Sequence, residues 1–209
     1  MKKVVIVGGG IGGLAASCLL AKDGFLVTLI EKNKILGGRA RRLKLKDFYF
    51  DMGPSWYMMP EVFDDFFKKF GKKVSEFYQL KKLDVNYRVF FNDGKLIDIY
   101  SDLKKNLNTF KKEEEEGDIK LKNYLKEAEF IYKLSTQKLV FNDYKNPFCL
   151  LDKEVVLNFL KLDLIRSLHS LVKNNFKNPY LQKILEFTTV FLGGSPYNTP
   201  AFYKLIAYA

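Results

Sequence analysis

An α/β fold is predicted, and three features of the first 31 residues predict it. VVIVG at 4–8 is a short β-branched run closed by a glycine, the composition of a strand buried in a parallel sheet. Glycines then crowd positions 8, 9, 10, 12 and 13. A second apolar run, VTLIE at 27–31, ends on an acid.

The segment between these runs reads as a helix. LAASCLLAKDG, from 14 onward, has small alanines able to lie close to a sheet, and Gly24 stops it. Strand, glycine turn, helix, strand and terminal acid is the order and length of a Rossmann-like, dinucleotide-binding βαβ unit. Within GxGxxG, Gly8 permits the tight turn off the strand, Gly10 leaves room for a pyrophosphate, and Gly13 keeps the helix against the strand. The helix N-terminus offers unpaired N–H groups and a positive dipole end to the diphosphate. Glu31 is placed to accept hydrogen bonds from the adenosine ribose hydroxyls. Two lysines before an apolar run also open like a secretory leader. A leader needs a small-residue cleavage site after its core, and here the run continues into the glycine turn instead.

Bulk composition narrows the class. The 209 residues suffice for one sizeable core or two small ones, and 47% hydrophobic content implies a folded chain. No apolar stretch reaches the ~18 residues of a membrane-spanning helix. Cys18 and Cys149 stand far apart with no CxxC or Cys/His cluster, so no metal site is predicted, and reduced thiols in the cytoplasm are the simplest reading. The formal charge of +11 suits an anionic cofactor or an anionic membrane surface. The lysines are scattered rather than massed and no nucleic-acid-binding module is recognisable, so no nucleic-acid partner is expected.

Directly after the second strand comes Glu31-Lys32-Asn33-Lys34-Ile35-Leu36-Gly37-Gly38-Arg39. This ExxxxxGGR element resembles that of the FAD-dependent amine oxidases, protoporphyrinogen oxidases and carotenoid desaturases. The resemblance implies FAD rather than NAD, with Gly38 giving the backbone access to the cofactor and Arg39 facing its phosphates. Ile11 and Lys32 join the expected cofactor-binding set. Three further blocks are similar to the bacterial-type phytoene desaturases: FDMGPSWYMMPEVFDDFFKKFG at 50–71, YRVFFNDG at 87–94 and FLGGSPYNTPAFYKLIAYA at 191–209. By that resemblance Gly53, Pro54 and Ser55 are secondary cofactor contacts, although Asp51 reads equally well as a turn-capping acid. Trp56, Tyr57, Met58 and Met59 line an apolar tunnel for a polyene or, more simply, fill a core.

Downstream, strand-like stretches around LDVNYRVFF and KLIDIYS flank Asn92-Asp93-Gly94, a hairpin signal. Residues 102–116, with the acidic run Glu113 to Glu116, read as a solvated helix face or loop, and 118–140 as a helix. In 153–176, Leu157, Leu160, Leu164, Leu168 and Leu171 form a helical seam, with Lys153, Lys161, Arg166 and Lys173 on other faces. A seam of this kind ordinarily packs into a core; the alternative is a helix lying on an anionic bilayer. His169, the only histidine, is expected in a hydrogen-bonded structural role.

The expected architecture is therefore a Rossmann-like FAD-binding βαβ unit followed by a mostly helical α+β substrate region with a β-hairpin. Residues 1–75 form the N-terminal part of an FAD-binding domain and 76–209 part of a substrate and membrane-associating domain. The resemblance implies phytoene desaturation by hydride transfer to flavin, in a protein held peripherally at the inner face of the membrane with a linear carotene as substrate. No catalytic residue is assigned, because a conjugated chain can delocalise a cationic intermediate without a nucleophile. Relative to the family the chain is expected to be incomplete, since a second, C-terminal glycine-rich segment has no counterpart here. The rivals are another carotenoid enzyme (isomerase, diapophytoene desaturase), an amine oxidase, or a non-catalytic remnant.

Overall fold

The computed structural model describes residues 1–54, 56–140, 157–158 and 162–209. Ser55, Cys149, Lys153, Leu160 and Lys161, named above, lie outside the described residues. The chain divides into two compact units, Met1–Leu80 and Lys81–Ala209.

The first unit opens with β1 (Lys3–Val7), α1 (Ile11–Lys22) and β2 (Leu26–Ile30). The strands are parallel and in register from Lys3 opposite Leu26 to Val7 opposite Ile30. Alternation along each strand turns Val4, Ile6, Val27 and Leu29 inward, with Ile6 beneath Gly13 of α1. The opposite face, carrying Val5, Val7, Leu26 and Ile30, is exposed. Helix α1 ends where Gly24, at φ +84°, takes the left-handed conformation that closes a helix C-terminus.

An antiparallel hairpin of β3 (Arg42–Leu45) and β4 (Phe48–Asp51) follows. Its register places Leu43 opposite Phe50 and Leu45 opposite Phe48 on one side, and Arg42 opposite Asp51 and Lys44 opposite Tyr49 on the other. The guanidinium of Arg42 and the ammonium of Lys44 both lie over the Tyr49 ring. Helix α2 (Pro60–Lys68) starts on proline at its first turn, which needs no N–H there. Its Phe63, Phe66 and Phe67 interlock with Tyr57, Phe70, Phe77 and Tyr78.

The second unit holds the larger core. Strands β5 (Val85–Phe90) and β6 (Leu96–Tyr100) pair antiparallel around the expected turn, where Gly94 has φ +85° and Asp93 accepts from the Lys95 N–H. Helix α3 (Leu103–Glu113) occupies the polar segment and is capped by the Asp102 carboxylate, which accepts from the Lys104 N–H. Helix α4 (Gly117–Leu134) continues as a π-helical turn over Ser135–Leu139. Helices α5 (Leu168–Asn175) and α6 (Pro179–Glu186) and two 3-10 stretches, Phe187–Phe191 and Ala201–Ala207, complete it. Ile97, Ile99, Phe110, Leu121, Tyr124, Leu168 and their neighbours form one buried cluster.

Two expectations need correction. The leucine seam is not one helix through residue 176. Asp163 sits at φ +53°, Ser167 bridges to Pro200, and α5 begins only at Leu168, with the Ser167 side chain accepting from the Ser170 N–H. Asp163 is held by Arg166 and Lys204, and its positive φ together with the Ser167–Pro200 bridge interrupts the helix that the leucine spacing suggests. Leu168 and Leu171 are core, whereas Leu157 and Leu164 are exposed. The acidic run is not uniformly solvated either. The Glu114 side chain is only 7% exposed, pairs with Lys120 at 2.5 Å, and accepts from the N–H groups of Lys177 and Asn178.

Candidate cofactor site

The expected nucleotide-binding residues converge at the C-terminal ends of β1 and β2. Gly8, at φ +108°, turns the chain off β1 while its N–H donates to the Ile30 carbonyl at 2.8 Å. Helix α1 then starts with Gly10 at its N-cap and no side chain closing that end, so its first N–H groups stay open to a ligand. Gly13 lies hard against the turn, and a Cβ there would overlap the Gly8 carbonyl.

Gly9 joins three segments. Its N–H donates to Glu31 Oε2 at 2.7 Å, and its carbonyl accepts from the Gly37 N–H at 2.7 Å. Glu31 Oε1 accepts from both the backbone N–H and the side-chain amide of Asn33, at 2.8 and 2.7 Å. The Asn33 and Gly9 N–H groups, with the Asn33 amide, hold the Glu31 carboxyl below the usual carboxylate range. It therefore stays ionised at neutral pH.

The GGR turn closes on the same loop. Gly10 bridges to Gly37, and Gly38, at φ +57°, would place a Cβ 3.0 Å from the Gly10 Cα. Arg39 is exposed on the 3-10 turn Gly38–Ala40, and Gly53 packs so closely on its backbone that a Cβ would overlap the Arg39 carbonyl. Pro54 follows on the surface. Ile11, the first residue of α1, and Lys32 are exposed beside this cluster.

The structure thus brings Gly8, Gly10, Ile11, Gly13, Glu31, Lys32, Gly38, Arg39 and Gly53 to one loop cluster. Sequence reasoning missed Gly9, Asn33 and Gly37. Gly9 occupies a free position in GxGxxG, yet a Cβ there would meet Leu36 Cδ2 at 2.6 Å. This crowding comes from the close approach of the 31–37 segment, which pattern matching does not register.

These residues fit the adenosine-diphosphate half of a dinucleotide: an ionised acceptor for a ribose, an open helix N-terminus and an exposed guanidinium for phosphates. Trp56 and Tyr57 are exposed rather than core; Tyr57 hydrogen-bonds Tyr78 hydroxyl to hydroxyl at 2.6 Å. His169 Nδ1 lies 2.6 Å from Glu186 Oε1, with its ring stacked on Tyr197. Among the described residues no group of three His, Cys, Asp or Glu side chains could hold a metal ion. No helix among them is long and apolar enough to cross a membrane.

Comparison with known proteins agrees with this geometry. Residues 6–70 match the NAD(P)-binding Rossmann-like domain. The chain is 44% identical over 206 residues to the carotenoid 3,4-desaturase of Haloarcula japonica, covering 98% of this chain and 42% of that protein. It is 30% identical to the phytoene desaturase of Phycomyces blakesleeanus, covering 99% of this chain and 36% of the relative. A solved putrescine oxidase triple mutant shares the fold with a TM-score of 0.57 at 16% identity, over 98% of this chain and 40% of that one. The chain spans about two-fifths of the length of the curated relatives it matches.

Proposed function

We propose, from a likeness to carotenoid desaturases over nearly the whole chain, that this polypeptide is the cofactor-binding and adjoining part of an FAD-dependent carotenoid desaturase. One conjunction supports the reading: a glycine loop, Glu31 and a GGR turn hydrogen-bonded into one cluster, on a chain 44% identical to a carotenoid 3,4-desaturase. Bound FAD would supply the acceptor for a hydride equivalent leaving a saturated C–C unit of a linear carotene such as phytoene.

The chain's own residues do the binding. N–H groups of the first turn of α1 hold the diphosphate, Arg39 neutralises phosphate charge, and Glu31 accepts from the adenosine ribose. Gly53 and Pro54 bring the backbone close beside Arg39, with Ser55 next in the chain. No acid–base pair or nucleophile is assigned, so positioning and water exclusion carry the protein's share. The unit Met1–Leu80 is assigned to the cofactor side and Lys81–Ala209 to the substrate side.

A carotene dissolves in lipid, so a membrane surface on the cytoplasmic side is the proposed partner. The +11 charge supports it. Helix α5 does not, because Leu168, Leu171 and Val172 are spent on the core.

Cells that make phytoene and no later carotene provide the test. A protein of the relatives' length carrying this sequence should form coloured products with longer conjugation, while the 209-residue chain alone should leave phytoene unchanged. Colour from the short chain would refute its assignment as a part. An FAD-loaded long protein that ignores phytoene and turns over an already desaturated carotenoid or an amine would move the substrate accordingly.

A further inference from the structure

Glu31 is held in one orientation before any ligand arrives. Oε2 accepts from the Gly9 N–H, and Oε1 accepts from the Asn33 backbone and the Asn33 side-chain amide. Each carboxylate oxygen offers about two acceptor positions. Oε1 is therefore filled and Oε2 has one position left. A carboxylate only accepts, so the nitrogen of the Asn33 amide must face it, which turns the amide oxygen away from Glu31. Among the described residues that oxygen takes no hydrogen bond, and Asn33 is exposed. Two acceptors then remain open: one position on Glu31 Oε2, beside the Gly9 N–H, and Asn33 Oδ1.

The geometry points to Asn33 as a second ribose-recognition residue, which both fixes the Glu31 carboxylate and presents its own amide oxygen to one hydroxyl of the adenosine ribose diol. This rests on the cofactor reading above and deepens it. Two acceptors offered to one ribose select a cis-diol, which brings two donors. They repel a phosphorylated ribose, which brings negative charge and at most one donor. The site is thus built for an unphosphorylated adenosine diphosphate moiety, with recognition shared between an ionised and a neutral acceptor.

Calorimetry on the 209-residue chain with ADP, 2′-deoxy-ADP and 3′-deoxy-ADP tests this. The variant is Asn33→Ala, which keeps the backbone N–H that shapes the turn. The unvaried chain should lose affinity when either hydroxyl is removed. Asn33→Ala should bind ADP about two- to tenfold more weakly, the range of one neutral hydrogen bond. Its penalty for removing one of the two hydroxyls should shrink toward nothing. A residue that merely braced the turn would weaken all three nucleotides alike and leave the hydroxyl ratios unchanged; that result overturns the proposal, as does unaltered ADP affinity. If the unvaried chain binds neither ADP nor FAD, the cofactor reading itself fails and this inference fails with it.

Discussion

At Gly10 and Gly13 an added side chain should have two different consequences. A Cβ at Gly10 meets nothing nearer than the Gly38 Cα at 3.9 Å, and the backbone there is extended at φ −74°. Gly10→Val should therefore leave the fold intact while abolishing nucleotide binding, because the added bulk occupies the diphosphate's place. A Cβ at Gly13 overlaps the Gly8 carbonyl, so Gly13→Ala should lower stability by about 1–3 kcal/mol through overpacking. Thermal melts with and without FAD separate the cases, and a Gly10→Val chain that still retained FAD would remove this loop from the site. Acid should act on the same cluster. The folded Glu31 carboxyl lies below its unfolded value of about 4.3, so its contribution is complete above that value and is lost as pH falls through the folded one. Titration followed by NMR should show the Gly9 amide moving with the Glu31 carboxyl below the ordinary carboxylate range. A Gly9 amide indifferent to that titration would contradict the hydrogen bond. Gly9 also marks where sequence reading stops. GxGxxG identifies residues that meet the ligand or the adjacent strand, whereas Gly9 and Asn33 matter because 31–37 folds back on the loop.

Elements were legible where local signals agreed with one another. Strand β1 and helix α1 each carry composition and a glycine stop, strand β2 an apolar run closed by an acid, and the β5–β6 turn declares itself through Asp93-Gly94. The helix expected through 153–176 failed for a tertiary reason. Leucine spacing continues across 163–167, but Asp163 binds Lys204 and Ser167 pairs with Pro200, partners remote in sequence and invisible in a periodicity count. Glu114 teaches the same lesson with opposite sign, since an acidic run looks solvated until one of its members is found under α6. Burial opposes ionisation of Glu114, yet the bonds from Lys120, Asn178 and Lys177 outweigh it and keep its carboxyl below the usual range. Glu114→Ala would strand the Lys177 and Asn178 N–H groups that lead into α6. It should cost about 1.5–3 kcal/mol, the span for hydrogen bonds to a charged group, with Glu114→Gln costing less. Equal melting temperatures for Glu114→Ala and the unvaried chain would show that this cap is dispensable.

Over the whole molecule the two units differ in what they bury. Among the described residues of Met1–Leu80 only Gly9 and Val74 are buried, whereas Lys81–Ala209 encloses Phe110, Phe176, Leu168, Leu171 and Leu181 in one cluster. Apolar burial is the main source of stability, at roughly 25 cal/mol per Å², so local opening should be far easier in the first unit than in the second. A ligand confined to the glycine loop would change that balance. At a concentration about a hundred times its Kd it stabilises the state that binds it by about 2.7 kcal/mol. Amide exchange should accordingly find β1, β2 and the 37–40 turn poorly protected without nucleotide, and α4 and α5 well protected. Added FAD or ADP should slow exchange of Gly9, Gly37 and the β1 and β2 amides while leaving Leu168, Leu171 and Val172 as they were. Uniform slowing across both units would mean that the nucleotide stabilises the chain as a single cooperative body. No slowing in the first unit, at concentrations where a relative of full length retains FAD, would count against the loop cluster as the nucleotide site.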